Sequence, residues 1–233
     1  MFEHRSEGVL PGHRFALRLL RHLLISAGIV LVSLIVGIVG YEHFEHLGLR
    51  DAFLNSAMLL GGMTFKLRFA ESEIRMWADR YPPSPEDGRL RNEVRPVILA
   101  RGCLTREEFL EICAWKSQRT RSRCSSNDEF TVRTISRGAL ASEDESLKMD
   151  LLRTLAGVEW PTASTLLHFS DQRPYPVLDY RALWSLGVRK PPAYTMPFWL
   201  EYLAFTRGLS ERSGVDIATL DRALWQYSKA RQR

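Results

Sequence analysis

Two short segments in the second half of the chain combine residue types that can do chemistry. Residues 155–164 (LAGVEWPTAS) place Gly157 in a tight turn predicted between two helices. Residues 175–181 (YPVLDYR) place Asp179 at the start of a further helix, 18 positions beyond Pro161. A glycine turn lets backbone N–H groups approach a phosphate closely. A carboxylate beside a reacting centre can stabilise positive charge or deprotonate a water molecule.

Each segment also has a purely structural interpretation. The glycine turn is compatible with a plain corner between two helices. Asp179 is compatible with a helix N-cap, because aspartate is common immediately before the first helical turn. The combination of the turn with the carboxylate favours a functional site more strongly than either segment alone.

Together the two segments resemble the helix-hairpin-helix base-excision DNA glycosylases, the superfamily of endonuclease III and the 3-methyladenine glycosylases. The resemblance covers about residues 70–233 and is specific over 150–187. It implies that Asp179 is the catalytic residue and that double-stranded DNA is the partner. It implies that the hairpin binds the DNA backbone and that hairpin carbonyls bind a monovalent cation. The hairpin residues in question are Gly157, Val158, Trp160, Thr162 and Ala163.

The chain departs from the family pattern at two hairpin positions. Glu159 stands where a second glycine is usual, and a carboxylate facing a phosphate is unfavourable. Pro161 stands at the position of the lysine that forms a Schiff base in bifunctional members, and proline has no amine for that reaction. The resemblance therefore implies a monofunctional enzyme that hydrolyses the base–sugar bond of a damaged or modified base and leaves the DNA backbone intact.

Three cysteines are spaced too far apart for a common metal pattern. No cysteine-rich loop follows Asp179, so neither an iron–sulfur cluster nor another metal site is expected. Cys103 and Cys113 are predicted in the core, and Cys124 is predicted to be exposed in a loop.

Residues outside the hairpin are weaker candidates for DNA contacts. Lys116 and Arg119 follow Trp115 and form a basic and aromatic group that suits a phosphate, although a solvated basic loop fits equally well. Stacking of a base inside a pocket is considered for Trp115, Tyr175 and Tyr180. Aromatic residues at helical spacing are more often part of a core, and that alternative stays open.

The elements that must position these residues are all predicted to be helices. Capping boxes begin at Thr105 and at Ser142, Asn127 or Asp128 caps a third helix, and Asp216 caps the last one. Residues 117–126 are polar and are predicted to form a loop. No segment alternates with a period of two, so the fold is predicted to be all-α, with about eight short helices over 68–233.

Residues 1–67 are predicted to form a membrane anchor. The uncharged run at 23–41 is long enough for a helix that crosses a bilayer. A cleaved signal peptide and a buried soluble helix remain as alternatives. Arginines precede the run and acidic residues follow it, which predicts a cytoplasmic N-terminus, in a bacterial inner membrane. The side on which 68–233 lies stays open, because the apolar segment 52–65 is short for a second crossing.

The anchor also resembles part of the small two-helix channel-like membrane proteins. Residues 35–63 match their first helix and pore helix in character, but residues 61–64 (GGMT) replace the ion-selective filter. Conduction is therefore not inferred.

Composition limits the function only broadly. A hydrophobic content of 45% excludes wholesale disorder, and the net charge of +5 is compatible with nucleic acid or an anionic membrane surface. Three hypotheses follow: a membrane-tethered DNA glycosylase, a non-catalytic helix-hairpin-helix DNA-binding module, or a membrane protein whose α-helical domain binds a protein partner.

Overall fold

The computed structural model describes residues 12–44, 46, 48–49, 52–53, 56–57, 65–82, 84–188 and 193–232. The chain divides into two compact units at Met63. Every regular element in the described ranges is helical and none is a strand, as the sequence predicts. Residues 65–67 belong to the second unit, where the Lys66 N–H donates to Leu186 O over 3.0 Å. The boundary between the two units therefore lies a few residues before the predicted boundary at residue 67.

The first unit contains one long helix, α1 (Gly12–Phe44), which includes the predicted span. Its stretch Leu17–Phe44 has a mean hydropathy of 2.7 and is long and apolar enough to cross a membrane. A signal sequence or the core helix of a soluble protein meets the same criterion. In residues 52–53 and 56–57 the chain is helical again, and Ser56 packs against Gly37 of α1. The rest of the apolar segment up to 64, including the GGMT motif, lies outside the described residues.

The second unit is built from short helices joined by tight connections. A π-helical turn, Leu90–Val94, lies between the α-helices Pro85–Arg89 and Arg95–Arg101, and 3-10 turns occupy Glu71–Glu73 and Gln118–Thr120. The α-helices described here are α2 (Ile74–Asp79), α3 (Pro85–Arg89), α4 (Arg95–Arg101), α5 (Arg106–Lys116), α6 (Arg121–Cys124), α7 (Glu129–Ala141), α8 (Glu145–Arg153), α9 (Trp160–Ser170), α10 (Tyr180–Ser185), α11 (Met196–Ser213) and α12 (Ile217–Arg231).

Most predicted helix starts are confirmed by their caps. Thr105 and Glu108 form the predicted capping box at α5, Asp128 caps α7, and Asp216 caps α12. The predicted box at Ser142 is wrong. Ser142 ends α7, and Asp144 caps α8 by accepting from the Leu147 N–H over 2.8 Å.

Residues 117–126 are not the irregular loop that their polarity predicts. They contain a 3-10 turn and α6, and Cys124 at the end of α6 is fully buried rather than exposed. The reason is local packing, because the Cys124 backbone and sulfur lie against Gly157 of the hairpin. Cys103 and Cys113 are in the core, as predicted.

The hairpin helix α9 is the centre of the second unit. Apart from Pro161, each of its residues from Trp160 to Ser170 is buried. It contacts α4, α5 and α8, while α12 packs on α2, α10 and α11. The buried hydroxyl groups of Ser164, Thr165 and Ser170 donate to backbone carbonyls within the helix, as buried polar side chains require. Thr165, for example, donates to Pro161 O over 2.8 Å. This packing fixes the start of α10, where Asp179 lies.

Candidate functional site

A cavity of about 290 Å³ opens beside the start of α10. Its wall comes from four parts of the second unit: the connection into α3 and the π turn, the end of α5, the start of α10, and α12. The cavity combines aromatic rings with both acidic and basic side chains. Its lining residues are Tyr81, Ser84, Glu86, Asp87, Arg91, Trp115, Lys116, Val177, Asp179, Ala182, Asp221, Arg222 and Trp225.

Asp179 lies in this wall with both carboxylate oxygens hydrogen-bonded. Its Oδ1 accepts from the Arg181 N–H over 2.8 Å, so it is the N-cap of α10. Its Oδ2 accepts from Lys116 Nζ over 2.8 Å, and the same ammonium donates to Leu178 O over 3.1 Å. The Asp179 side chain keeps 22% of its surface exposed. The capping interpretation of Asp179 and its place in a cavity are therefore both correct.

The extended segment before α10 is held from three sides. The Val177 N–H donates to Asp221 Oδ2 over 2.9 Å, and the Leu178 N–H donates to Ser164 Oγ over 2.9 Å. The Tyr202 hydroxyl donates to Val177 O over 3.0 Å. Since α9, α11 and α12 each contribute one of these partners, the start of α10 has little freedom to move.

Asp221 and His168 lie close together but do not form an ion pair. Burial raises the pKa of Asp221 to about 8, against the lowering effects of the Val177 N–H and of Arg91. Burial, helped by the charge of Arg91, lowers the pKa of His168 to about 3. His168 is therefore neutral, and its Nδ1 lies 2.6 Å from Tyr175 O, to which it donates. Asp221 Oδ1 and His168 Nε2 have no hydrogen-bond partner.

The hairpin has a positive backbone angle at its glycine, φ = 78° at Gly157. A Cβ atom there would lie 2.9 Å from Arg123 Cβ and from the Cys124 N atom, so a side chain would push the hairpin away from α6. Glycine is thus required by both the turn and the close approach of α6. This internal packing explains Gly157 even before any ligand is considered.

The backbone of the hairpin is only partly available to a ligand. The Val158 N–H donates to Leu155 O over 3.1 Å, and the Ala163 N–H donates to Glu159 O over 2.8 Å. Glu159 is the N-cap of α9, but its side chain makes no capping bond. The other five described helices of at least nine residues in the second unit all have a side-chain cap. Thr162 is buried in the first turn of α9.

Three arginines follow the cavity residue Lys116 in the order of the chain, up to the hairpin contact at Arg123. Arg119, Arg121 and Arg123, the basic segment, are exposed and follow Lys116 along the chain. Arg123 reaches the hairpin at Gly157, while Lys116 is at the cavity. Arg153, at the end of α8, also lies at the hairpin. Its guanidinium is 4.0 Å from the centre of the ring of Trp160, a residue that is 8% exposed.

Of the three aromatic residues considered for a base pocket, Trp115 lines the cavity and the other two do not. Tyr175 is buried in the core, where its hydroxyl donates to Glu145. Tyr180 is 54% exposed and lies under the Arg181 guanidinium. The cavity instead contains Tyr81 and Trp225, whose rings meet edge to face with centroids 5.2 Å apart.

Sequence reasoning missed Arg91, Asp221 and the pair Tyr81 and Trp225. Asp221 could have been found, because it lies on the apolar stripe of α12 with Leu220 and Leu224, where an acidic residue is unusual. Arg91 lies in the π turn, which interrupts the helical period from which its direction would be inferred. Tyr81 and Trp225 are distant in sequence, and no local pattern connects them.

The cavity and the hairpin are the features from which a function can be argued. Among the described residues, no group of three His, Cys, Asp or Glu side chains could hold a metal ion. No protein-family model matches this chain, and no curated protein or solved structure matches it.

Proposed function

We propose that this protein is a membrane-tethered, monofunctional DNA glycosylase of the helix-hairpin-helix type. It hydrolyses the bond between a damaged or modified base and its deoxyribose in double-stranded DNA, with Asp179 as the catalytic residue. The observation that carries the proposal is the place of Asp179 in the wall of a cavity with aromatic rings. A plain helix cap needs no such cavity.

The cavity is suited to a single flipped base. An enzyme that acts on a base must take it out of the stack and hold it in a pocket. A volume of about 290 Å³ is at the lower end of the range for ligand pockets, which favours a small planar ligand. Tyr81, Trp115 and Trp225 offer aromatic surface for stacking, and the charged side chains offer hydrogen bonds.

Asp179 supplies the charge that the reaction needs. Breaking the bond between base and sugar leaves positive charge on the sugar, and a fixed carboxylate stabilises it in a partly desolvated site. The Arg181 N–H and the Lys116 ammonium hold this carboxylate in place. The same carboxylate can accept a proton from the water that attacks the sugar.

A Schiff base is not part of the proposal. Pro161 has no amine, and the Lys116 ammonium donates two hydrogen bonds, to Asp179 and to Leu178 O. A covalent adduct with DNA trapped by borohydride would therefore contradict the monofunctional assignment.

The hairpin and the basic segment form the proposed DNA-binding surface. The start of α9 has no side-chain cap, so the positive end of the helix is open to a phosphate. Arg121 and Arg123 lie on α6, where Arg123 packs against Gly157 of the hairpin, and Arg119 lies in the 3-10 turn before α6. These three exposed arginines add charge for further phosphates. Binding there would place the cavity close to the duplex.

We assign the tether to α1. Its uncharged run follows several arginines, which under the positive-inside rule supports a cytoplasmic N-terminus. The length and composition of the helix support a crossing of the bilayer.

The proposal can be tested with the full chain in detergent micelles. Binding is measured for a duplex with a positively charged pyrrolidine abasic analogue and for the undamaged duplex, at several salt concentrations. The proteins are wild type, Asp179→Asn and the control Asp144→Asn. Asparagine is also a good N-cap, so neither helix should be lost. Asp144 caps α8 in the same way but lines no part of this cavity.

We expect wild type and Asp144→Asn to prefer the charged analogue and Asp179→Asn to lose that preference. Equal binding of both duplexes by wild type would favour the non-catalytic DNA-binding module. The absence of salt-dependent binding would overturn both nucleic-acid functions and leave the partner-binding hypothesis.

A further inference from the structure

Within the proposed function, we propose that Asp221 is the general acid of this cavity: it protonates the departing base, and the substrate is an electrically neutral purine rather than a cationic alkylated base. The inference rests on the proposed function and adds a second catalytic residue and a substrate class to it.

The Asp221 carboxyl has one oxygen with a hydrogen-bond partner and one enclosed oxygen without a partner. Oδ2 accepts from the Val177 N–H, and the buried Oδ1 has no partner among the described residues. The residue is 9% exposed, yet it lines the same cavity as Asp179. A buried carboxylate normally has its oxygens satisfied, because leaving one unpaired is costly. A proton on Asp221 removes the charge of this enclosed group and places a hydrogen donor in the wall of the cavity.

The surroundings of Asp221 favour the protonated form at neutral pH. Burial raises the pKa of Asp221 to about 8, and the charge of Asp179 adds to this rise. Arg91 and Lys116 act in the opposite direction. The other nearby titratable groups are His168 on α9, which is neutral, Tyr202 on α11, and Arg222 on α12. The opposite part of the cavity wall adds Tyr81, Glu86 and Asp87.

The two carboxylates of the cavity are therefore in different environments. Asp179 receives an ammonium and a backbone N–H, which suit a negative charge. Asp221 receives one N–H and is enclosed by protein. Two carboxyl groups whose environments differ in this way are suited to separate acid and base roles.

The proposed step balances in atoms and charge. The Asp221 carboxyl gives its proton to an acceptor nitrogen of the purine ring, and the bond between the base and C1′ breaks with its electron pair going to the base. The positive sugar forms beside Asp179. Water adds its oxygen to C1′ and gives a proton to the Asp179 carboxylate. Release of that proton to solvent and reprotonation of Asp221 from solvent restore the enzyme.

The substrate class follows from this proton. A neutral purine leaves as an anion unless it is protonated, so acid assistance lowers its barrier. A base such as 7-methylguanine already carries a positive charge and leaves as a neutral molecule without a proton. A general acid in the cavity is useful only for the first class.

The test compares Asp221→Asn with wild type, using the full chain in micelles under single-turnover conditions. The probes are duplexes that contain hypoxanthine, adenine opposite 8-oxoguanine, or 7-methylguanine. Asparagine can still accept from the Val177 N–H but cannot supply a proton. Binding to the charged abasic analogue, which has no base, is measured in parallel and reports both folding and the proposed function.

We expect wild type to release a neutral purine. Asp221→Asn should slow that release by about 10²- to 10⁴-fold while binding of the abasic analogue stays unchanged. The wild-type rate should fall as the pH rises through about 8, since the protonated form of Asp221 is then lost. This pH profile does not depend on whether the variant folds.

Other results would overturn the inference in distinguishable ways. The acid role of Asp221 is overturned if wild type releases only 7-methylguanine, if it releases no base from any probe, or if wild type and Asp221→Asn release the base at equal rates. In each case the proposed function stands if wild type still prefers the charged abasic analogue to intact DNA. Asp221 has a structural role instead if Asp221→Asn loses both base release and analogue binding, and if the wild-type rate of release stays constant across pH 7–9. If wild type does not distinguish the charged analogue from intact DNA, the proposed function itself fails.

Discussion

Two lysine–aspartate pairs in the second unit have the same chemistry and opposite surroundings. Lys148 and Asp171 form a pair whose side chains are 2% and 5% exposed. Lys116 and Asp179 form a pair whose side chains are 11% and 22% exposed. Each pair lines a cavity, but the first is almost completely buried, whereas the second keeps more contact with solvent.

The difference in exposure predicts a structural role for the Lys148–Asp171 pair and is compatible with the role proposed for Asp179. A buried pair is expensive to break, because the remaining charge has no water to replace its partner. Lys148 joins α8 to the end of α9 and so fixes the two helices of the hairpin. A pair that keeps contact with solvent can exchange its partner at small cost. This property suits Asp179 if a positive sugar must approach it.

The largest effect on stability is expected for Lys148→Met. The change leaves Asp171 buried without its main partner and should lower the free energy of unfolding by about 3 kcal/mol. For a unit of this size the melting temperature should fall by roughly 6–12 °C. Circular dichroism of the full chain in micelles measures the fall. The matched variant Lys116→Met should lose no more than about 1 kcal/mol. Equal losses in both would mean that the two pairs do not differ as described.

A smaller effect, on DNA affinity, is expected for the basic segment. Replacing Arg119, Arg121 and Arg123 with glutamine removes three exposed charges beside the hairpin. The slope of log affinity against log salt should become shallower by about 2.7, if each arginine neutralises one phosphate. Titration of a labelled duplex at several salt concentrations gives the slope.

The control for this variant removes the same charge elsewhere. Arg75, Arg80 and Arg212 lie on or beside α2 and α11, away from the hairpin in sequence. Replacing these three arginines with glutamine should change the slope of log affinity against log salt only slightly. If both triple variants lose the same amount, binding depends on net charge and not on the proposed surface.

The smallest effect is expected for Glu159→Gln. Glu159 is exposed at the start of α9 and makes no capping bond, so the change should not unfold the hairpin. Removing its charge from the proposed phosphate site should raise affinity by a few-fold at low salt, by about 0.3–1 kcal/mol. Glu143→Gln, also exposed, is the control and should change little. A lower affinity in Glu159→Gln would argue against a phosphate at this helix end.

Local chemistry made much of the fold predictable. Thr105, Asp128 and Asp216 were recognised as caps because a cap depends on residues three positions apart. Cys124 was misjudged because its burial depends on the approach of Gly157, which lies far along the chain. The start of α8 is misplaced at Ser142 because three acidic residues follow it, and Asp144 among them makes the cap.

The cavity was predictable only in part, for a related reason. The position of Asp179 beside a helix start follows from its local sequence. The presence of Asp221 and Trp225 in the same wall follows from the packing of α12 against α10, which the sequence does not show. An ionisable residue on an apolar helix face is the local sign by which Asp221 could have been found.

The most direct test of the central role of Asp179 isolates charge from shape. The full chain is titrated with two duplexes, one with the positively charged pyrrolidine analogue and one with a neutral tetrahydrofuran at the same position. We predict that wild type binds the charged duplex at least about fivefold more tightly and that Asp179→Asn binds both duplexes equally, since an accessible ion pair is worth about 1 kcal/mol or more. Equal binding by wild type, or a preference that survives in Asp179→Asn, would contradict the role proposed for Asp179.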